Sequence, residues 1–130
     1  MGSARTVRGL VAERLTAGLA YDQTAGRTWR IVDHEAPVTR INPGETVVQV
    51  VRTRVRPGER LDRSMSSTLW VRLLTGVTDP DLADDELDDR LGVLLAYLDT
   101  DPLLRWEEAE RGVFADTFPS YVVTVTTDHL

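Results

Sequence analysis

Apolar positions along the chain fall into two spacings, and together they mark out seven elements. Val7, Leu10, Val11, Leu15 and Leu19 recur at helical spacing, while Arg5, Arg8, Glu13 and Arg14 fall mostly on the other side of the wheel. This predicts an amphipathic helix over residues 4–19. After the polar stretch Tyr21–Arg27, the residues Trp29, Ile31 and Val32 form a short β-type run, and Pro37 and Asn42-Pro43-Gly44 then break the chain with turn chemistry. Val47–Arg56 is the clearest strand: β-branched residues dominate it, and Arg52, Arg54 and Arg56 alternate with Val51, Thr53 and Val55, giving one apolar and one cationic face.

Pro57–Ser67 holds Gly58, several charges and a Ser-Met-Ser-Ser cluster, and it is expected to be a mobile loop. Thr68–Thr75 resumes with Leu69, Trp70, Val71, Leu73 and Leu74, apolar on both faces except at Arg72, as a strand near the middle of a sheet would be. Asp79-Pro80-Asp81 supplies a helix cap and an early proline, and Leu87, Leu91, Leu94, Leu95 and Leu98 form a second helical stripe that should end near Asp99. Leu104–Phe114 alternates less cleanly, with Gly112 suggesting a bulge, and Tyr121–Thr127 is a β-branched strand following Pro119. The predicted order is α-β-β-β-α-β-β. The fold class is α+β, a mostly antiparallel sheet of four to five strands with two amphipathic helices packed on it, formed by one domain spanning residues 1–130.

Composition narrows the function. With 130 residues, 42% hydrophobic and 28% charged, the chain is an ordinary globular one. No apolar run approaches the roughly 18 residues of a membrane span, and no leader precedes the first helix, so the chain is expected to stay in the compartment where it is made. Residues 1–6 match the myristoylation pattern, a match too short to carry weight. There are no cysteines, which excludes disulfides, thiolate metal sites and cysteine nucleophiles. All 15 basic residues are arginine, a usage that reflects coding composition more readily than function. The net charge of −6 disfavours general affinity for nucleic acid.

Candidate chemistry is sparse. Seven acidic residues lie between Asp79 and Asp89 and invite a divalent-metal reading. Their placement at a helix N-terminus, where the macrodipole stabilises negative charge, favours a structural role, and Glu86 and Arg90 form a favourable i,i+4 pair on what should be the exposed face. His34 and His129 are the only histidines, and a histidine-based site would need both flexible positions to converge. Trp106, Glu108 and Glu110 share parity; two carboxylates so spaced suit an acid/base pair, or the solvated face of a strand, which is favoured. The cationic row Arg52, Arg54 and Arg56, continuing into Arg60 and Arg63 and reaching Met65, suits a partner-binding segment, because arginine forms planar bidentate contacts at protein interfaces, or equally the solvated face of a strand. No catalytic, cofactor-binding or metal-ligating residue is assigned, and the chain is read as no enzyme.

The whole layout resembles the tail terminator, or tail completion, proteins of long-tailed bacteriophages. The likeness covers about 120 residues. It lies in the opening amphipathic helix, the strand pair with its long loop, the Asp-Pro-rich start of a leucine-striped helix, and the closing strands with Phe118-Pro119-Ser120-Tyr121 followed by Val122-Val123-Thr124-Val125. The resemblance implies a virion protein at the head-proximal end of the tail, assembled in the cytoplasm of the bacterial host. Such a protein forms a homo-hexameric ring on the tail tube, ends its polymerisation and offers a surface to the head-tail connector, while DNA passes through the lumen without specific binding. The same residues leave open a head-tail connector or other minor tail subunit, a small regulatory binding module of the host, and a small metal-dependent hydrolase using the Asp79–Asp89 carboxylates.

Overall fold

The computed structural model describes residues 6–22, 26–35, 37, 38, 40–57, 65–77, 79–115 and 117–129. Its elements follow the predicted order: α1 (Val7–Leu19), β1 (Thr28–Val32), β2 (Glu45–Pro57), β3 (Met65–Thr75), α2 (Pro80–Thr100), β4 (Arg105–Phe114) and β5 (Phe118–His129). The fold is α+β. Thr6 caps α1, its hydroxyl accepting from the Gly9 N–H at 2.9 Å, and Asp79 caps α2, its carboxylate accepting from the N–H groups of Asp81 and Leu82, with Pro80 in the first turn.

The five strands lie in the order β1-β2-β3-β5-β4. β1 runs parallel to β2 and every other neighbouring pair is antiparallel, with β3 central as its two apolar faces require. Pro119 falls in β5 opposite Val113 and beyond the last β3–β5 pair, Leu74 with Ser120, so its missing N–H breaks no bond to β3.

Both helices cover one face of the sheet, α1 over β1 and β2, α2 over β3, β5 and β4. The core between the layers is Val11, Leu15 and Leu19 of α1, Leu94 and Leu98 of α2, and Val48, Val50, Leu69, Val71, Leu73, Val123 and Val125 of the sheet. Each such aliphatic side chain contributes about 1.5–3 kcal/mol on burial. The helices themselves meet closely, since a Cβ on Gly18 would lie 2.0 Å from the Tyr97 ring.

Two buried ion clusters join the elements. Arg14 grips Asp101 with two hydrogen bonds of 2.8 and 2.7 Å, and Tyr97 O–H and Leu103 N–H donate to the same carboxylate. Burial works to raise the Asp101 pKa, but these donors more than offset it and hold the group below its ordinary value; burial and then Asp101 push Tyr97 up to about 12. The second cluster centres on Arg90, which is 2% exposed and lies in the buried stripe of α2 with Ala83, Leu87, Leu94 and Leu98. It donates to Asp22 and Asp89 and sits 5.5 Å from the centre of the Trp29 ring, whose Nε1–H donates to Asp22 at 2.8 Å. Burial lowers the Arg90 pKa and the two carboxylates raise it, with a net rise. The expected exposed Glu86–Arg90 pair is therefore overturned: Glu86 pairs with Arg27 at 2.9 Å, and Arg90 points inward because Asp22 and Trp29 offer it a desolvated partner.

Replacing Arg90 by Ala would leave the Asp22 carboxylate buried without its guanidinium, so urea unfolding should show a loss of about 3–5 kcal/mol. The Asp101 cluster predicts acid sensitivity. Its depressed carboxylate stabilises the fold fully above its ordinary value, and that contribution is lost as the pH falls through the lower native value. Thermal melts of Asp101→Asn should lie well below those of the parent at pH 7 and converge towards them at about pH 2; a gap independent of pH would refute this account.

Candidate functional site

The face of the sheet opposite the helices divides into a covered half and a bare half. The described residues of the crossover 33–44 lie over the first: Glu35 pairs with Arg72 at 3.6 Å, the Arg40 carbonyl accepts from Arg30, and Ile41 lies against Gly76. Phe114 closes over the Arg72 guanidinium at 4.8 Å. Beneath this cover Val47, Gln49 and Leu74 are buried.

The bare half is a shallow cleft of about 550 Å³ across β2, β3, β5 and β4. Trp70 stands in it, 42% exposed, on a floor of Thr68, Thr124 and Thr126. Arg54 and Arg56 line one flank, and Glu107 and Glu108 the other together with Arg105, which pairs with Asp128. Two bulges shape these flanks. In β2 the register shifts between Arg52 and Arg54, so that Arg52 pairs with Leu69 and Arg54 with Thr68. The extra residue, Thr53, turns into the cleft beside Arg54 and donates its hydroxyl to the Thr68 carbonyl at 3.2 Å. In β4 the shift lies between Trp106 and Glu108, and it sets Glu107 and Glu108 side by side on the cleft.

These bulges split both sequence patterns. Arg52 shares the helix-side row of Leu69, and Met65, the first residue of β3, falls on that side too, while Arg54 and Arg56 face the bare half. Arg60 and Arg63 lie outside the described residues, as does most of the expected loop at 57–67; Pro57 still belongs to β2, and Met65, Ser66 and Ser67 already belong to β3. Trp106 packs against the helix-side core with its Nε1–H donating to Asp99 at 2.9 Å, whereas Glu108 and Glu110 take the other face. The expected shared parity of Trp106 with the two glutamates fails because the irregularity lies at Glu107 and not at Gly112.

Five of the seven acidic residues at the start of α2 are engaged in structure. Asp79 caps the helix, Asp84 accepts from Arg111 at 2.9 and 3.1 Å, Glu86 holds Arg27, Asp89 holds Arg90, and Asp88 accepts from Tyr121 O–H at 3.2 Å. Burial and the bond to Asp88 raise the Tyr121 pKa. Among the described residues no three His, Asp or Glu side chains gather closely enough to hold a metal ion, and no helix is long and apolar enough to cross a membrane. His34 follows β1 and bonds Asp33, whose pKa it lowers; His129 ends β5, on a different strand.

A second cleft, of about 520 Å³, lies between the crossover and the first turns of α2, lined by Arg27, Asn42, Glu45, Thr75, Asp85 and Glu86 among others. Its central charges, Arg27 and Glu86, pair with each other at 2.9 Å, although the buried Arg27 Nε has no hydrogen-bond partner among the described residues. The bare half of the sheet, in contrast, holds two arginines and two carboxylates, Arg54, Arg56, Glu107 and Glu108, that have no ion-pair partner among the described residues, and Glu110, further along β4, has none among them either.

No protein-family model and no curated protein matches the chain.

With five of the seven α2 carboxylates committed to Arg27, Arg90, Arg111, Tyr121 and the helix cap, and no three acidic side chains gathered among the described residues, calorimetric titration with magnesium, manganese and calcium should give no heat and no shift in melting temperature. A saturable heat that disappears in Asp84→Asn/Asp85→Asn would restore the metal-dependent reading.

Proposed function

We propose that the chain is a structural subunit that acts by binding other protein subunits, as a ring that caps a phage tail tube, ends its growth and offers a surface for head joining. The observation that supports it is the bare half of the sheet. An exposed tryptophan on a threonine floor between unpaired arginines and glutamates has the composition of a protein interface: an aromatic anchor with arginine beside it and a polar rim. The described side chains offer this face no cover, although the rest of the same sheet face is closed by the crossover and Phe114.

The tail terminator assignment adds the resemblance to this physical reading. The element order α-β-β-β-α-β-β is the layout on which that resemblance rests. An acidic chain also suits a ring through which DNA must slide, because it offers the phosphates little attraction.

The decisive experiment is negative-stain microscopy of tails from lysates with and without the gene, scoring tube length and head attachment. Overlong, headless tubes are expected without it, and Trp70→Ala, which removes an exposed side chain, should reproduce part of that defect while melting close to the parent. Tubes of normal length in the absence of the gene would reject termination; with heads still missing the chain would be a connector, and with intact particles it would have no virion role.

A further inference from the structure

Two stretches of strand edge carry opposite charge. β1 pairs with β2 only along Glu45–Gln49, so the outer edge of Val51–Pro57 is unpaired among the described strands. At the other end of the sheet β4 has β5 on one side and no described strand on the other. The first edge carries Arg52, Arg54 and Arg56; the second carries Glu107, Glu108 and Glu110 together with Arg105 and Arg111, which are already paired with Asp128 and Asp84. Arg54, Arg56, Glu108 and Glu110 all belong to the face opposite the helices, as their ladder partners Thr68, Ser66, Thr124 and Val122 do. β2 and β4 run antiparallel to each other, because three antiparallel steps separate them through β3 and β5.

From this geometry we infer that copies of the chain join head to tail by pairing the Val51–Pro57 edge of one with the β4 edge of the next, antiparallel, so that the sheet continues from subunit to subunit. This deepens the ring reading given above and rests on it for the closed assembly, but not for the pairing itself. β1 blocks the lower part of the β2 edge, so the incoming β4 lies against the upper part, and there its Glu108 and Glu110 come alongside Arg56 and Arg54. Opposite charges directly across an antiparallel pair attract and like charges repel. For the charges without an ion-pair partner among the described residues, a β2 edge therefore repels another β2 edge, a β4 edge repels another β4 edge, and only the unlike contact is favoured. That contact is heterologous, which generates a ring when the rotation closes. The bare cleft then runs on across each junction, lined by arginines of one copy and glutamates of the next.

The chain has no cysteine, so engineered thiols report cleanly. The purified variant Arg54→Cys/Glu110→Cys, treated with a short bis-maleimide at low ionic strength, should give a ladder of cross-linked species rising from the dimer on a denaturing gel. A mixture of the two single-cysteine variants should stop at the dimer, and each alone should remain monomeric. Reversing Arg56 and Glu108 singly, as Arg56→Glu or Glu108→Arg in the double-cysteine background, should cut ladder yield at least about fivefold, and combining both should restore it, the recovery showing that each variant still folds. Monomer alone from the double-cysteine variant, or equal dimer from a single-cysteine variant on its own, would overturn the pairing. The two proposals fail separately. A missing ladder with overlong tubes in the gene's absence would sink the edge pairing and leave termination, whereas a ladder with normal tubes would do the reverse.

Discussion

The Arg90 guanidinium, enclosed by Asp22, Asp89 and the Trp29 ring, is the interaction on which the arrangement of the first half of the fold depends. Asp22 follows α1, Trp29 lies in β1, and Arg90 sits at the middle of α2, so one buried cation ties three elements that are remote in the chain. Leucine at position 90 would continue the apolar stripe and lose nothing in burial. What arginine adds is direction: a buried charge tolerates only the geometry that pairs it, and that geometry sets the end of α1 and Trp29 of β1 against the middle of α2. Arg14 and Asp101 do the same for α1 and the end of α2, where Gly18 lets the Tyr97 ring approach the helix backbone. The helices are thereby committed to one face of the sheet. The other face is left to the crossover, whose described residues close only half of it.

What remains bare is shaped by irregularity. A strand in strict alternation would have kept Arg52, Arg54 and Arg56 in one row and Trp106 in line with Glu108. Each bulge exchanges faces for everything beyond it and adds one side chain to the cleft, Thr53 on the cationic flank and Glu107 on the anionic flank. The opening of the sheet is thus wider and more charged than period-two reasoning allows. The same bulges keep Trp106 in the core, where its N–H finds Asp99, instead of exposing a second tryptophan beside Trp70.

This explains what was and was not legible in the sequence. Helical stripes, the Asp79-Pro80 cap and β-branched runs report local periodicity, and periodicity was enough for both helices, all five strands and their order. β3 could be placed at the centre because its apolar residues occupy both faces. Three features were not legible, for one reason. The bulges at Thr53 and Glu107, the inward turn of Arg90 and the full length of β3 depend on partners far away in sequence: Thr68, Thr124, Asp22 and the ladder from Met65 to His129. Glu86 and Arg90 satisfied the i,i+4 rule, yet a weak exposed pair gave way to a desolvated site with two carboxylates and an aromatic ring. For the candidate face, the arginine row pointed to the right strand, but nothing in composition joined it to Trp70 or to the glutamates of β4. That required the strand order.

Charges and bulges on strand edges are also the devices by which sheet proteins avoid unwanted association, so their presence alone does not argue for assembly. The distribution of sign does. A protein protecting two edges from aggregation gains most by giving both the same charge, since every edge-to-edge encounter is then repulsive. Here the charges of β2 beyond β1 are cationic, and those of β4 that have no ion-pair partner among the described residues are anionic, although the chain as a whole carries a net charge of −6 and acidic residues outnumber arginines. Such an arrangement suppresses like-edge pairing and leaves one combination attractive. That combination is directional and, when a ring closes, uses the Val51–Pro57 stretch and the β4 edge of every copy, leaving only the outer edge of β1. It converts a general hazard of open sheets into a single permitted contact, and the uncovered cleft beside that contact remains available to whatever the assembled subunits meet.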